Sequence, residues 1–481
     1  MPPMPARYEP VIGLEVHAQL LTRTKLFCGC STGFGAAPNS HVCPTCLGLP
    51  GALPVLNGRA VEMAIFAALA LGCTVHESSV FARKNYFYPD LPKGYQISQY
   101  ELPLATDGHL EIDVDEGVKR VGIIRVHMEE DAGKNVHGVG GDSLVDLNRA
   151  GVPLIEIVGA PELSSAAEAA AYMRTLRDVL SFLGVNDGNL EEGSFRCDAN
   201  VSLRPVGQAQ LGTRTELKNL NSFRFLSRAI EVEIARQTAI LDAGGKVDQE
   251  TRSYDPDKNV TRTLRSKEDA HDYRYFPDPD LPPLRVAPHS VEQARSRLGE
   301  LPRARRGRYE TELGLSAQAA ATLTGHPALT RYFEDVLSRH ADAVRVANWV
   351  TTEVLRGAAI HGLEAELPVS AAQLSELLDL LAAGKISGKQ AKDVYAAVEG
   401  TSKMPAEVVA ELGLTVVSSE ADLAPICERV LAEHPAQVEQ VRGGKKGVLG
   451  FFVGQVMKAT GGKADPRVVS QLLERLINQT G

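Results

Sequence analysis

The residues most suggestive of chemistry lie on two segments that alternate like β-strands. In V-G-I-I-R-V-H-M-E-E (121–130), Ile124, Val126 and Met128 form an apolar face that continues onto Glu130. In L-I-E-I-V (154–158), Glu156 lies between two isoleucines. Both carboxylates are therefore expected to face a protein interior. An ionised carboxylate there costs several kcal/mol unless it is paired, hydrogen-bonded or bound to a metal ion.

Two buried carboxylates require a cation, and the sequence leaves two sources open. Arg125 or Arg149, from the same stretch, would close an ordinary salt bridge. Alternatively, a metal ion is bound together with Glu15 and His17, which share one face of the strand-like segment 11–20 but taken alone also fit a solvated face. An imidazole with three carboxylates suits Mg²⁺ or Mn²⁺ better than Zn²⁺. The predicted ligands are Glu15, His17, Glu130 and Glu156.

Four of the seven cysteines cluster in C-G-C (28–30) and C-P-T-C (43–46). Two cysteine pairs at this spacing are typical of a tetrahedral zinc site, although the first pair is C-x-C rather than C-x-x-C. With Cys28, Cys30, Cys43 and Cys46 all acting as ligands, no position stays open for a substrate, so we expect the zinc to be structural. The alternative is a set of free buried cysteines.

Cationic residues near these segments are candidates for binding phosphate. Lys84 belongs to the segment 81–100, whose dense mixture of aromatic, amide and lysine side chains is typical of a pocket wall and also fits a rigid tyrosine-rich loop. Arg149 and Arg196 are selected with Lys84 by their charge and their strand phase. We therefore expect Lys84, Arg149 and Arg196 to form a phosphate clamp beside the catalytic carboxylates Glu130 and Glu156.

Composition and missing motifs narrow the function classes. The 481 residues are 44% hydrophobic and 23% charged, which is ordinary for a globular protein. The net charge of −9 argues against a chain that coats nucleic acid with its whole surface, so such contacts require a local basic patch. No apolar stretch is long enough to span a membrane, and we expect a soluble, cytoplasmic protein. The sequence lacks the P-loop, the dinucleotide fingerprint, the hydrolase nucleophile elbow and an amidase-like Gly-Ser-Ser run.

The elements that position these residues form three predicted domains of an α+β protein. Residues 1–294 form a large sheet-containing domain with a core helix between Ser164 and Leu183. Amphipathic helical segments then define an all-α domain at 295–404. A small helical tail occupies 405–481, and its part after Gln440 has seven Lys and Arg residues against one Asp and one Glu. This basic tail favours contact with nucleic acid phosphates.

Seven long motifs between residues 11 and 283 resemble the B-subunit (GatB) family of aspartyl/glutamyl-tRNA(Asn/Gln) amidotransferases. They are V-I-G-L-E-V-H, K-N-Y-F-Y-P-D-L-P-K-G-Y-Q-I-S-Q-Y, H-M-E-E-D-A-G-K, D-L-N-R-A-G-V-P-L-I-E-I-V, R-C-D-A-N-V-S, E-L-K-N-L-N-S-F-R and D-Y-R-Y-F-P-D-P-D-L-P-P. The resemblance implies a cradle-shaped catalytic domain, and the helical pattern of the remaining chain fits the helical and tail domains of that family. Leu264 and Asp278 stand where many relatives have Met and Glu.

The resemblance implies an ATP-dependent reaction on a mischarged tRNA. The side-chain carboxylate of Glu-tRNA(Gln) or Asp-tRNA(Asn) is phosphorylated and then amidated by ammonia, which a glutaminase A subunit supplies in a heterotrimer held together by a C subunit. It also implies that the metal-binding positions fall on Glu15, His17, Glu130 and Glu156. Some members of the family lack the cysteine quartet, which supports a structural role for it.

Two other functions remain open from the sequence. One is a metal-dependent ligase or kinase that acts on a small free carboxylate, for which the helical domains would be superfluous. The other is a non-catalytic tRNA-binding scaffold, which the core-facing carboxylates argue against. The identity of the tRNA served, Gln or Asn, is not encoded in any of these motifs.

Overall fold

The computed structural model describes residues 7–137, 142–266, 273–361, 364–414, 420–443, 445–461 and 463–479. The beginning of the last family motif, Asp272, lies outside these ranges. The chain divides into two compact units, 1–304 and 305–481. The first unit thus extends past the boundary that the sequence predicts at residue 294. The α+β class predicted from the sequence is confirmed.

The strands are concentrated in the first unit. They are β1 Tyr8–Gln19, β2 Thr74–Val75, β3 Ser78–Ser79, β4 Phe81–Asn85, β5 Tyr95–Gln99, β6 Ala105–Val114, β7 Gly117–Glu130, β8 Lys134–His137, β9 Ser143–Asp146, β10 Pro153–Gly159, β11 Phe195–Pro205, β12 Thr215–Lys218, β13 Glu250–Asp255, β14 Val260–Ser266, β15 Phe276–Pro277, β16 Leu284–Arg285, β17 Ala359–His361 and β18 Glu364–Glu366.

The helices are few in the first unit and dominate the second. They are α1 Pro44–Leu47, α2 Gly58–Ala70, α3 Ala166–Phe182, α4 Phe223–Asp242, α5 Pro288–Arg297, α6 Pro302–Thr311, α7 Ala317–Thr324, α8 Pro327–Arg339, α9 Ala343–Trp349, α10 Leu355–Gly357, α11 Ala371–Ala382, α12 Gly388–Val398, α13 Pro405–Glu411, α14 Glu420–Glu433, α15 Pro435–Arg442, α16 Leu449–Ala459 and α17 Pro466–Gln479. A π-helical turn, Val350–Val354, joins α9 to α10. Within the described residues, no helix is long and apolar enough to cross a membrane.

A nine-stranded mixed sheet organises the first unit, in the order β14-β13-β12-β11-β1-β10-β7-β6-β2. One of its faces is apolar and packs on α3 and α4, which contribute most of their buried apolar residues to the same hydrophobic core. The helix α3 is capped by Ser165, which accepts a hydrogen bond from the backbone N–H of Glu168, and it buries Met173 and Leu176, in keeping with the core helix expected in this segment. The opposite face of the central strands carries polar side chains.

The register of the central strands decides which polar side chains meet. His17 on β1 lies directly opposite Glu156 on β10 and Arg196 on β11. Glu156 in turn lies opposite His127 on β7. Residues directly opposite each other in an antiparallel pair project from the same face of the sheet. All four side chains therefore project from the polar face.

The strand β7 departs from the regular alternation that the sequence predicts. Ile124 is expected in the core, but it is 50% exposed. The pairing with β10 shifts between Val158 and Gly159, because Val158 lies opposite Arg125 whereas Gly159 lies opposite Ile123. Ile124 is therefore the extra residue of a β-bulge, and the buried positions change phase across it.

Among its described residues, the second unit contains two hydrophobic cores. One is built from residues between Tyr309 and Val408 and includes α13, so the predicted boundary at residue 404 falls before the last helix of this core. The other lies between Leu423 and Ile477. The helix α17 begins after Asp465, whose carboxylate accepts a hydrogen bond from the backbone N–H of Arg467 at 2.8 Å. The predicted all-α domain also contains the antiparallel strand pair β17–β18.

Candidate functional site

Two histidines and two glutamates meet at the centre of the polar face. Nε2 of His17 is 3.4 Å from Oε2 of Glu156 and 3.7 Å from Oε1 of Glu129. Nε2 of His127 is 3.3 Å from Oε2 of Glu156 and 3.9 Å from Oε2 of Glu129. Each imidazole thus bridges both carboxylates. We refer to these four residues as the His–Glu cluster.

The cluster is strongly coupled electrostatically. Burial by itself would lower the pKa of His127, but the negative charges of Glu156 and Glu129 raise it to about 9. Burial would raise the pKa of Glu156, yet the two histidines hold it well below its usual range. The carboxylates are therefore anionic and attract a positive charge, either a proton on each imidazole or a cation between them.

The donor atoms of His17, Glu129 and Glu156 fit a divalent metal ion. One ligand atom from each lies within 4.8 Å of the others, as in a coordination sphere that closes around an ion. An imidazole with two carboxylates is a donor set for Mn²⁺ or Mg²⁺. Nδ1 of His127 is buried without a hydrogen-bond partner among the described residues.

The sequence prediction of the metal ligands needs one correction, at Glu130. The sequence groups this residue with Glu156, but it lies with Val126 and Met128 on the core face of β7, whereas Glu156 lies on the polar face opposite His127. The neighbouring residue Glu129 takes the place expected for Glu130. The carboxylates of Glu129 and Glu130 are both buried, but they lie on opposite faces of the sheet. Only the register of β7 with its neighbour decides which of the two lies on the polar face.

Glu130 makes its own buried interactions away from the cluster. Its carboxylate pairs with the ammonium group of Lys93 and accepts a hydrogen bond from the backbone N–H of Ile97 at 2.9 Å. Its own backbone carbonyl accepts a hydrogen bond from Gln96 at 2.7 Å. Glu130 therefore joins β7 to β5 and stabilises the fold.

Glu15 lies on the polar face, beside the cluster rather than in it. Its carboxylate accepts a hydrogen bond from Nδ2 of Asn200 at 2.9 Å. Burial, followed by the charges of Glu156 and other carboxylates, raises the pKa of Glu15. Glu15 lines the cavity above the cluster without contributing to the set of three ligand atoms.

That cavity has a volume of about 420 Å³ and combines anionic and cationic walls. Lys84 and Arg125 line it together with the cluster, and Nε of Arg125 is buried without a hydrogen-bond partner among the described residues. Nζ of Lys84 lies 4.9 Å from the centre of the Tyr273 ring. The rings of Tyr100 and Tyr275 stack at 4.1 Å and form a flat aromatic wall.

The structure places Arg149 and Arg196 in a second cavity of about 730 Å³, which also reaches His17, Lys84 and Glu129. Both arginines surround the buried carboxylate of Asp131: Nη2 of Arg196 lies 3.0 Å from it and Nε of Arg149 lies 3.7 Å from it. Arg149 also donates hydrogen bonds to the carbonyls of Ala132 and Gly133. Lys84 is thus the predicted phosphate ligand that lines both cavities.

The four clustered cysteines are brought together as predicted. The Sγ atoms of Cys28, Cys30, Cys43 and Cys46 all lie within 4.8 Å of one another. The Cys28–Cys46 and Cys43–Cys46 sulfur separations are 3.5 and 3.7 Å. Four sulfurs at about 2.3 Å from a tetrahedral zinc ion are about 3.8 Å apart. The quartet therefore fits zinc closely.

Three residues of the site escape the sequence prediction: His127, Glu129 and Asp131. They follow one another at every second position of V-H-M-E-E-D, which is the alternation of a single strand face. The same period-two pattern is what selects Glu15 and His17. In β7 this alternation is hard to recognise, because the apolar residues used to assign the two faces of the strand include Ile124, which is the bulge residue.

Comparison with known proteins identifies the family. The model of the GatB/GatE catalytic domain matches residues 10–292, and that of the GatB domain matches residues 331–477. The chain is 57% identical over 471 residues to the B subunit of the aspartyl/glutamyl-tRNA(Asn/Gln) amidotransferase of Geobacter sulfurreducens, covering 97% of this chain and 98% of the relative. It is 54% identical over 470 residues to the B subunit of the same name from Myxococcus xanthus, again covering 97% and 98%. The chain therefore belongs to the family of aspartyl/glutamyl-tRNA(Asn/Gln) amidotransferase B subunits.

Proposed function

We propose that this chain catalyses the ATP-dependent phosphorylation of the side-chain carboxylate of Glu-tRNA(Gln), Asp-tRNA(Asn) or both, and then the amidation of the activated carboxylate. Ammonia is delivered by a partner glutaminase A subunit, and a C subunit completes the heterotrimer. The reaction makes the chain part of a carbon–nitrogen ligase with glutamine as the amido donor. Because its substrate is a tRNA, we place it in the cytoplasm.

The observation that carries this proposal is the His–Glu cluster on the floor of a cavity with cationic walls. His17, Glu129 and Glu156 would hold Mg²⁺ or Mn²⁺. When bound, such an ion supplies charge that lets the ATP phosphates and the substrate carboxylate approach each other. His127 bridges the two glutamates and would keep them oriented toward a bound ion.

The chain's own cations are suited to positioning the phosphates. Lys84 and Arg125 line the cavity that contains the cluster, and both supply positive charge near its anionic floor. Arg149 and Arg196 line the adjoining cavity, where Asp131 fixes their orientation. The stacked rings of Tyr100 and Tyr275 offer a flat surface that suits a nucleobase. These residues bind and orient the phosphates and the base. Positioning of this kind is most of what a protein contributes to phosphoryl transfer.

Two further parts of the proposal concern zinc and tRNA. Zinc at Cys28, Cys30, Cys43 and Cys46 would be structural, since four thiolates leave no position open. The basic tail would hold tRNA through its phosphates; the side chain of Lys446, one of its seven basic residues, lies outside the described part of the chain.

One assay tests the proposed reaction. The assembled complex is incubated with ATP, Mg²⁺ and mischarged tRNA, and ADP release is followed. We expect ADP release to require the aminoacyl-tRNA. Release that is driven equally well by free glutamate or aspartate would favour a ligase acting on a small carboxylate. No release, with tRNA binding intact, would favour a scaffold.

A further inference from the structure

Lys25 is a lysine with only 1% of its surface exposed, in the segment between β1 and the cysteine quartet. Nζ of Lys25 donates to Sγ of Cys46 at 3.4 Å, to the carbonyl of His41 at 2.7 Å and to the carbonyl of Leu147 at 3.2 Å. A buried ammonium group is costly unless it is paired and fully hydrogen-bonded. All three of its donor positions are occupied, so the site is built around this charge.

We propose that Lys25 is a positioning residue that neutralises part of the charge of the metal-bound cysteine quartet and ties the quartet to the turn carrying Arg149. Metal binding at the cysteines then fixes one wall of the cavity in which Arg149 and Arg196 lie. The inference rests on the proposed zinc site, but it assigns that site a second role beyond local stability.

The zinc-bound cysteine quartet is negatively charged. A zinc ion with four thiolates carries a net charge of about −2, because each ligand is a deprotonated thiol. Cys46 is buried, so this charge is only partly solvated. The ammonium group of Lys25 donates directly to Cys46 Sγ and thereby compensates it. Partners of this kind orient the ligands and tune their affinity for the metal.

Lys25 is also hydrogen-bonded directly to the turn that carries Arg149. The carbonyl of Leu147 that accepts from Lys25 also accepts from the backbone N–H of Ala150 at 3.1 Å, which closes the turn around Arg149. The backbone N–H of Leu26 donates to the carbonyl of Gly151 at 2.8 Å, so the residue after Lys25 holds the other end of the turn. Arg149 then reaches the carbonyls of Ala132 and Gly133 from this turn.

A second connection joins the loop between the two cysteine pairs to the same turn. Asn148 accepts a hydrogen bond from the backbone N–H of His41 at 2.8 Å and donates to the carbonyl of Ala37 at 2.7 Å. Asn39 donates to the carbonyl of Val145 at 2.9 Å and accepts from the backbone N–H of Leu147 at 2.8 Å. The cysteine loop and the turn therefore share their hydrogen bonds. This connection offers a control, because these hydrogen bonds of Asn148 join it to the loop backbone rather than to a thiolate.

The experiment compares Lys25→Met with Asn148→Ala in the full chain. Zinc affinity is measured by competition with a chromophoric chelator, and hydrogen exchange is measured for peptides covering residues 145–151 with zinc bound and after chelation. We expect Lys25→Met to lower zinc affinity by about 10- to 100-fold and to speed exchange in 145–151 even when zinc is saturating. Asn148→Ala should speed exchange in the same peptide while lowering zinc affinity much less than Lys25→Met does, because it removes no charge next to a thiolate.

The wild-type chain provides a measurement that does not depend on a variant folding. Chelation of zinc should speed exchange in 145–151 but not in a peptide from α17. Unchanged exchange after chelation, or unchanged zinc affinity in a folded Lys25→Met variant, would overturn the inference while leaving the zinc site itself in place. A wild-type chain that binds no zinc would overturn both.

Discussion

Two adjacent glutamates on β7 are expected to have opposite functions, and replacing each by glutamine separates them. Glu129 belongs to the His–Glu cluster, whereas Glu130 pairs with Lys93 in the core. Glutamine keeps the shape of the side chain and removes its charge. We therefore expect Glu129→Gln to abolish metal-dependent phosphoryl transfer with the fold intact, and Glu130→Gln to destabilise the fold with metal binding intact.

The magnitudes follow from the surroundings of each carboxylate. The Glu129 carboxylate lies 3.7 Å from Nε2 of His17, so an ion held between them is within about 4 Å of it. The carboxylate charge and one positive charge at that separation attract each other by about 4 kcal/mol at an effective dielectric constant of 20, and the second charge of a divalent ion makes this a lower bound. That energy corresponds to a loss of metal affinity of at least roughly a thousandfold. For Glu130, the loss leaves the ammonium group of Lys93 unpaired and nearly buried, which costs about 3 kcal/mol of stability.

The assays are Mn²⁺ binding by electron paramagnetic resonance and hydrogen exchange across β5 and β7, both on the full chain. A double variant, Glu130→Gln with Lys93→Met, removes both charges and should recover much of the protection that Glu130→Gln loses. The reasoning is refuted if Glu130→Gln loses Mn²⁺ while keeping its protection and Glu129→Gln retains Mn²⁺. In the assembled complex, Glu129→Gln should stay inactive when ammonium salt replaces glutamine, because carboxylate activation and not ammonia supply has been lost.

Three further outcomes are expected. Cys43→Ser should reduce zinc content measured by elemental analysis and lower thermal stability, whereas full zinc occupancy would contradict the four-thiolate assignment. Ending the chain after Leu414, so that α13 stays in its core, should weaken tRNA binding and flatten its salt dependence in filter-binding titrations; an unchanged salt slope would remove the tail from the tRNA interface. Burial opposes ionisation of Asp131, but the charges of Arg196 and Arg149 lower its pKa below the ordinary value of 3.8, so its stabilising contribution is present above that pH and is lost as the pH falls further. Asp131→Asn should therefore be less stable at neutral pH and lose less stability on acidification below about pH 4, as followed by circular dichroism; a parallel acid transition would contradict this.

Local patterns allow several features to be predicted from the sequence. The spacing of Cys28, Cys30, Cys43 and Cys46 is sufficient to predict their clustering, because ligand pairs close in sequence need only one loop closure to meet. The alternation of His17 with Glu15, and of Glu156 with its isoleucines, assigns each to one face of its own strand. The capping residues of α3 and α17 also follow from local backbone chemistry.

The pairing register between neighbouring strands could not be predicted from the sequence. The face of β7 that meets Glu156 depends on the pairing of β7 with β10, and this pairing is shifted by the bulge at Ile124. A one-residue difference in register exchanges the two faces of a strand, so it exchanges Glu129 for Glu130 as the residue in the cluster. The composition of V-H-M-E-E determined that a carboxylate would lie at this end of the strand, and only the tertiary pairing decided which one, because register is fixed by contacts between segments far apart in the chain.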